Sequence, residues 1–141
     1  MSRILAIDYG TKRVGIAVTD ELQIIASGLT TVHSSELINF LKDYFEKEDV
    51  ETIVLGEPKT LSNQKTDSSY EIEKLYKNLK KTFSTKKIAK VDERFTSKLA
   101  SQAMYMSGLS KKKRRQKELV DEVSATIILQ SYMQEMENRL F

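Results

Sequence analysis

Asp8 ends an apolar run, Ile4-Leu5-Ala6-Ile7, and is followed by Tyr9-Gly10-Thr11-Lys12-Arg13-Val14-Gly15. Four apolar residues in a row cannot alternate between core and water, so a strand buried on both faces is predicted. An acid where such a strand leaves the core must be paired, hydrogen-bonded or bound to a cation, because burying it alone is costly. Gly10 allows a sharp turn and leaves no side chain beside Asp8. Further acids stand in comparable places: Glu57 after Thr52-Ile53-Val54-Leu55-Gly56, Asp92-Glu93 after Lys87 to Val91, and Asp121 in a C-terminal helical stretch. Carboxylates gathered at one mouth repel unless cations neutralise them. Oxygen-only ligands suit Mg²⁺ or Mn²⁺, and two such ions about 4 Å apart are a known device for displacement at phosphorus. One ion activates the attacking water and the other stabilises the leaving oxygen. The absence of Cys excludes thiolate chemistry, zinc-thiolate sites and disulfides, and His33 is the only histidine. It lies between a strand and a helix, a surface position, so no histidine base is expected.

The elements that must position these acids follow from periodicity. Arg3 to Tyr9, Val14 to Thr19 and Gln23 to Val32 are predicted as an antiparallel meander, with Asp20-Glu21 as a tight polar turn and Thr11-Lys12-Arg13 as a hairpin tip. A helix should start at Ser34 or Ser35 as N-cap, with Leu37, Ile38, Leu41, Tyr44 and Phe45 on one apolar face. A fourth strand at Thr52 to Gly56 leads into a polar loop over 57–67. Ser68 and Glu71 form a capping box for a helix whose face is Ile72, Leu75, Tyr76, Leu79 and Phe83. Lys87 to Val91 is the fifth strand. A helix from Thr96 or Ser97 to Met106, stopped by Gly108, and a last helix over Glu118 to Glu137 complete the chain. Strands four and five each follow a helix, so both should run parallel to the first. Ligands gather at the carboxyl ends of such strands, where Asp8, Glu57 and Asp92-Glu93 stand. Asp121, Ala125, Ile128 and Tyr132 share one helical stripe, which turns Asp121 toward the sheet. Glu122, about 100° round, should be solvated.

The chain has 141 residues, 40% hydrophobic and 30% charged, with a formal charge of +3. One globular domain over 1–141 is expected. No apolar run approaches the roughly 20 residues that span a bilayer, and the N-terminus enters a strand with no leader, so a soluble cytoplasmic protein is expected. Basic residues surround the acids: Lys12 and Arg13 on the edge of Asp8, Arg94 after Glu93, and Lys111, Lys112, Lys113, Arg114 and Arg115 before the helix of Asp121. Such residues suit the backbone phosphates of a nucleic acid, although charge runs also serve as solvated loops.

The motifs Asp8-Tyr9-Gly10-Thr11-Lys12-Arg13-Val14-Gly15-Ile16-Ala17-Val18-Thr19-Asp20, Gly56-Glu57-Pro58, Asp92-Glu93-Arg94-Phe95-Thr96 and Val120-Asp121-Glu122-Val123-Ser124-Ala125 resemble the YqgF/RuvX family over nearly the whole chain. The family is described both as pre-16S rRNA nucleases and as Holliday junction resolvases, with a ribonuclease H-like fold. The resemblance implies an α/β, five-stranded mixed sheet flanked by helices, and a metal-dependent nuclease acting on structured RNA or branched DNA. It also implies a possible ribosome-precursor partner and Asp8, Glu93 and Asp121 as catalytic, metal-holding acids. Two departures stand out. Glu57 replaces the family's usual Leu before Pro58, and Asn63-Gln64-Lys65 replaces its later Asp-Gly. Glu57 could be an extra ligand or a surface substitution, and a lone charged loop residue is usually solvated.

Three readings compete. The first is the nuclease. The second is a phosphate-transfer enzyme of the actin and sugar-kinase type, suggested by Asp8-x-Gly10-Thr11. It would need a second lobe and a second phosphate loop, which the chain lacks. The third is a non-catalytic nucleic-acid-binding assembly factor. A pure binder of phosphates gains nothing from clustered acids. A resolvase would need a symmetric dimer to cut two strands. The residues do not separate monomer from homodimer.

Overall fold

The computed structural model describes residues 2–57, 67–92 and 117–140. Strands β1 (Arg3–Tyr9), β2 (Arg13–Thr19), β3 (Ala26–His33), β4 (Val50–Glu57) and β5 (Lys87–Asp92) alternate in part with helices α1 (Leu37–Lys47), α2 (Asp67–Thr82) and α3 (Lys117–Leu140). They form one sheet in the order β3-β2-β1-β4-β5. β1 pairs antiparallel with β2 and parallel with β4; β2–β3 is antiparallel and β4–β5 parallel. This is the mixed sheet expected from the crossovers. Among the described residues no helix is long and apolar enough to cross a membrane. The helix expected over 96–106 lies wholly outside the described residues, as does the polar loop between Glu57 and Asp67.

β1 is the central strand, and Leu5, Ala6 and Ile7 are fully buried. Its alternation divides the core in two. Leu5 and Ile7 join Val14, Ile16, Val18, Ile53 and Leu55 on the face covered by Leu37 and Leu41 of α1 and Ile72, Leu75 and Leu79 of α2. Ile4 and Ala6 join Ala17, Val54 and Val91 on the face covered by Ala125, Ile128, Leu129 and Tyr132 of α3. The helical faces therefore match their sequence patterns, with Phe40 an added member packed against the first cluster.

Three boundaries differ from expectation, the first two for local reasons. β3 begins at Ala26, not Gln23. The Asp20 carboxylate accepts the backbone N–H groups of Ile24 and Ile25, each at 2.8 Å, and of Leu22 at 3.3 Å. These bonds wind 20–25 into a loop, with Gln23 in the left-handed region at φ 58°. The N–H of Ile25 is the strongest influence holding the Asp20 carboxyl below its usual range. Desolvation opposes it, and the other backbone donors add to it. At the other end of β3, a 3-10 turn (Ser34–Glu36) precedes α1, and the cap is His33 rather than a serine. Its Nδ1 accepts from the Ser35 N–H at 3.1 Å. His33 is exposed and structurally engaged, in line with its expected surface role. α2 starts at Asp67, so Ser68 lies within the helix rather than before it.

Candidate active site

The first acid is placed by the hairpin. Asp8 lies opposite Gly15 in the β1–β2 register. By alternation it shares a face with Ile4 and Ala6, and Gly15 shares that face with Arg13 and Ala17. The turn closes where the Gly10 N–H donates to the Arg13 carbonyl at 3.0 Å. A Cβ at position 10 would stand 2.6 Å from that oxygen, so the turn requires glycine. The tip is braced from the 3-10 turn after β3: Ser34 donates its N–H to the Lys12 carbonyl at 3.1 Å and its hydroxyl to the Thr11 carbonyl at 2.7 Å. The sequence reading had offered Ser34 only as a helix cap.

The second acid arrives on α3. The helix presses against β2 so closely that a Cβ on Gly15 would fall 2.1 Å from the Asp121 carbonyl oxygen and 3.0 Å from its Cβ. At the next residue of the helix, a Cβ on Gly28 of β3 would meet Glu122 Cβ at 3.2 Å. Gly15 thus sets the approach of the helix on the strand position opposite Asp8. A glycine within a strand is a recognised mark of close approach, and that signal was available in the sequence. The inward stripe holds, with Ala125, Ile128 and Tyr132 buried and Asp121 one turn beyond them.

Asp121 is met there by a cation. Arg13 Nε donates to Asp121 Oδ2 at 2.8 Å, the side chains being 38% and 20% exposed respectively. The sequence had assigned Arg13 to substrate phosphates. In the structure it pairs with the acid. A cleft of about 250 Å³ opens at this point, lined by Asp8, Tyr9, Gly10, Thr11, Lys12, Arg13 and Asp121. Two carboxylates from opposite ends of the chain and two basic side chains therefore share one mouth. A larger cavity of about 730 Å³ lies at the other end of α3, between Ile4, Ile24, Tyr132, Met133 and Met136. It contains none of the candidate acids at the carboxyl ends of the strands.

Glu57 and Asp92 do not join the cleft. They pair in register at the ends of β4 and β5. By alternation Glu57 follows Ile53 and Leu55, and Asp92 follows Ile88, onto the face of α1 and α2. Lys90 on that face donates to Glu73 Oε2 at 2.6 Å and lies over the Tyr76 ring. Burial pulls the Lys90 pKa down, but the hydrogen bond and charge of Glu73, helped by Glu57 and Tyr76, raise it on balance. Glu57 is therefore part of a lysine environment across the sheet from Asp8. Glu93, Arg94 and the Lys111, Lys112, Lys113, Arg114 and Arg115 run lie outside the described residues. Among the described residues no group of three metal-binding side chains occurs. The donor chemistry of Asp8 and Asp121 nonetheless fits a hard cation. Both offer carboxylate oxygens only, and one of those oxygens already takes a positive partner.

Comparison with known proteins bears on this cleft. The family profile described as "RuvX: Holliday junction resolvase" matches residues 2–135. A protein of Christiangramia forsetii named "Putative pre-16S rRNA nuclease" is 57% identical over 135 residues, covering 96% of this chain and all of the relative. One of the same name from Bacteroides thetaiotaomicron is 54% identical over 134 residues, covering 95% and 97%. Among solved structures, Thermus thermophilus RuvC bound to a Holliday junction substrate superposes with a TM-score of 0.56 at 13% identity, covering 96% of each chain. The fowlpox virus resolvase with Holliday junction DNA gives 0.54 at 15% identity, covering 95% and 98%. These structures share the ribonuclease H-like fold.

Proposed function

The chain belongs to the RuvX family and is a nuclease, and from that premise we propose that it cuts pre-16S rRNA near its 5′ end, in the cytoplasm, with the help of divalent ions. The observation that carries this reading is the meeting of Asp8 and Asp121 in one cleft beside Lys12 and Arg13. Asp8, Asp121 and Glu93 would hold Mg²⁺ or Mn²⁺, which would supply charge neutralisation and an activated water for attack at phosphorus. Glu93 is named on the family resemblance, while Asp92 follows Ile88 by alternation onto the face of α1 and α2. Lys12, together with Arg94 and the 111–115 basic run, takes backbone phosphates and sets the register of the substrate. The attack leaves a 5′-phosphate on one product.

A second reading, cleavage of branched DNA, is favoured by the description of the family profile. The two are separated by offering a pre-16S rRNA 5′ fragment and a four-way DNA junction side by side, with Mn²⁺ or Mg²⁺. Asp8→Asn serves as the control. Cleavage of the RNA alone supports the first reading, whereas paired nicks in the junction alone support the second and require a symmetric dimer. Loss of even an outer partner of a metal site typically costs about 10–100-fold, so Asp8→Asn is expected to lower the cleavage rate by at least about a hundredfold while sparing binding. A normal rate in this variant removes Asp8 from the chemistry.

A further inference from the structure

Arg13 is placed for two tasks that it cannot perform at once. Its guanidinium sits on Asp121 Oδ2, yet it also lines the cleft that the substrate backbone must enter. A divalent ion taking the same carboxylate edge would face a positive group at contact distance, so one cation must give way to the other. We infer that Arg13 is an exchangeable counter-ion: it neutralises Asp121 in the free protein and passes to a substrate phosphate when a divalent ion claims that carboxylate. The inference rests on the metal-dependent reading above.

Three features favour exchange over a fixed brace. First, the acid is the more buried partner and Arg13 the more exposed. The carboxylate therefore always needs a positive neighbour, while the guanidinium has solvent to move into. Second, the Arg13 backbone is fixed. Its carbonyl accepts from Gly10 and its strand position pairs with His33, so movement is confined to the side chain. Third, a planar guanidinium matches phosphate as well as carboxylate. Exchange has a thermodynamic consequence: ion and nucleic acid should each strengthen the binding of the other, by the same factor.

The test measures binding without turnover. Mn²⁺ is titrated into the protein alone, following the resonance of the free ion, for wild type, Arg13→Gln and Arg13→Lys. Thermal unfolding confirms that each variant is folded. Removing a competing partner of a partly exposed ion pair should tighten Mn²⁺ binding of Arg13→Gln by roughly two- to fivefold. Arg13→Lys, which keeps the charge but loses the fork, should shift it less in the same direction. If the glutamine variant does not fold, the lysine variant carries the test. Binding of a short RNA hairpin, followed by anisotropy in Ca²⁺ and in EDTA, should be weaker in Arg13→Gln and less dependent on Ca²⁺. Unchanged or weaker Mn²⁺ binding in both variants would make Arg13 a brace for Asp121 and overturn the exchange alone. Absence of Mn²⁺ binding in the wild type as well would overturn the metal-dependent reading together with it.

Discussion

Over β1, β2 and β3 the sheet carries mostly large residues on one face and mostly small ones on the other. Toward α1 and α2 it presents Leu5, Ile7, Val14, Ile16, Val18, Ile53 and Leu55. Toward α3, β1, β2 and β3 present Ile4, Ala6, Gly15, Ala17 and Gly28. Branched side chains fill volume, and their burial contributes about 1.5–3 kcal/mol each. Alanine and glycine contribute less burial, but they let a helix backbone come close. The first face therefore supplies much of the stability, and the second sets the distance at which a helical acid stands from a strand acid. The same alternation that builds the core decides which acids can cooperate, with Asp8 and Asp121 on the close-packed side and Glu57 and Asp92 on the other.

The largest stability change is expected on the bulky face. Leu41 of α1 is fully buried, and truncating such a residue typically costs about 2–5 kcal/mol. Leu41→Ala should therefore lower the denaturation midpoint strongly, while Mn²⁺ affinity measured on the folded variant stays unchanged. A loss of Mn²⁺ binding at full folding would show that the two faces are not separable. On the small-residue face, Gly15→Ala should do the reverse in proportion. Overpacking typically costs about 1–3 kcal/mol, but displacing Asp121 by an ångström should lower cleavage by about a hundredfold. Gly28→Ala, which meets a side-chain carbon at 3.2 Å rather than a backbone oxygen at 2.1 Å, serves as the control and should retain most activity. Equal activity of the two alanine variants would break the assignment of Gly15 as the residue that spaces the acids.

The smallest expected effect lies away from both faces, in the 20–25 loop. The folded protein holds the Asp20 carboxyl below its ordinary value, so its contribution to stability is complete above the unfolded value near pH 4. It is lost as pH falls through the lower folded value. The difference in melting temperature between wild type and Asp20→Ala should therefore be present at pH 6 and shrink toward pH 3. A difference that stays constant over that range would mean that the loop does not depend on the charge of Asp20.

Much of this fold was legible because it is local. The apolar runs at Ile4–Ile7 and Ile53–Leu55, the helical stripes of α1 and α2, and the inward turn of Asp121 all follow from spacing along one element. Strand ends were less legible, since the Asp20 and His33 side chains compete with regular backbone hydrogen bonding by binding nearby amides. An all-apolar strand gives no alternation by which to assign a following acid to a face, so Glu57 and Asp92 stayed open until their neighbours were placed. The pairing of Arg13 with Asp121 had no local signature. Arginine in a turn reads equally well as a phosphate ligand, and its partner is 108 residues away.

That separation also orders the site in time. The hairpin bearing Asp8, Lys12 and Arg13 leaves the ribosome early, and its pairing is short-range. The helix bearing Asp121 is synthesised after all five strands, and docking it closes one of the longest loops in the chain, a slow class of contact. A nascent chain therefore carries only half of the described acid pair until α3 lies against Gly15, so completion of the cleft reports completion of the fold.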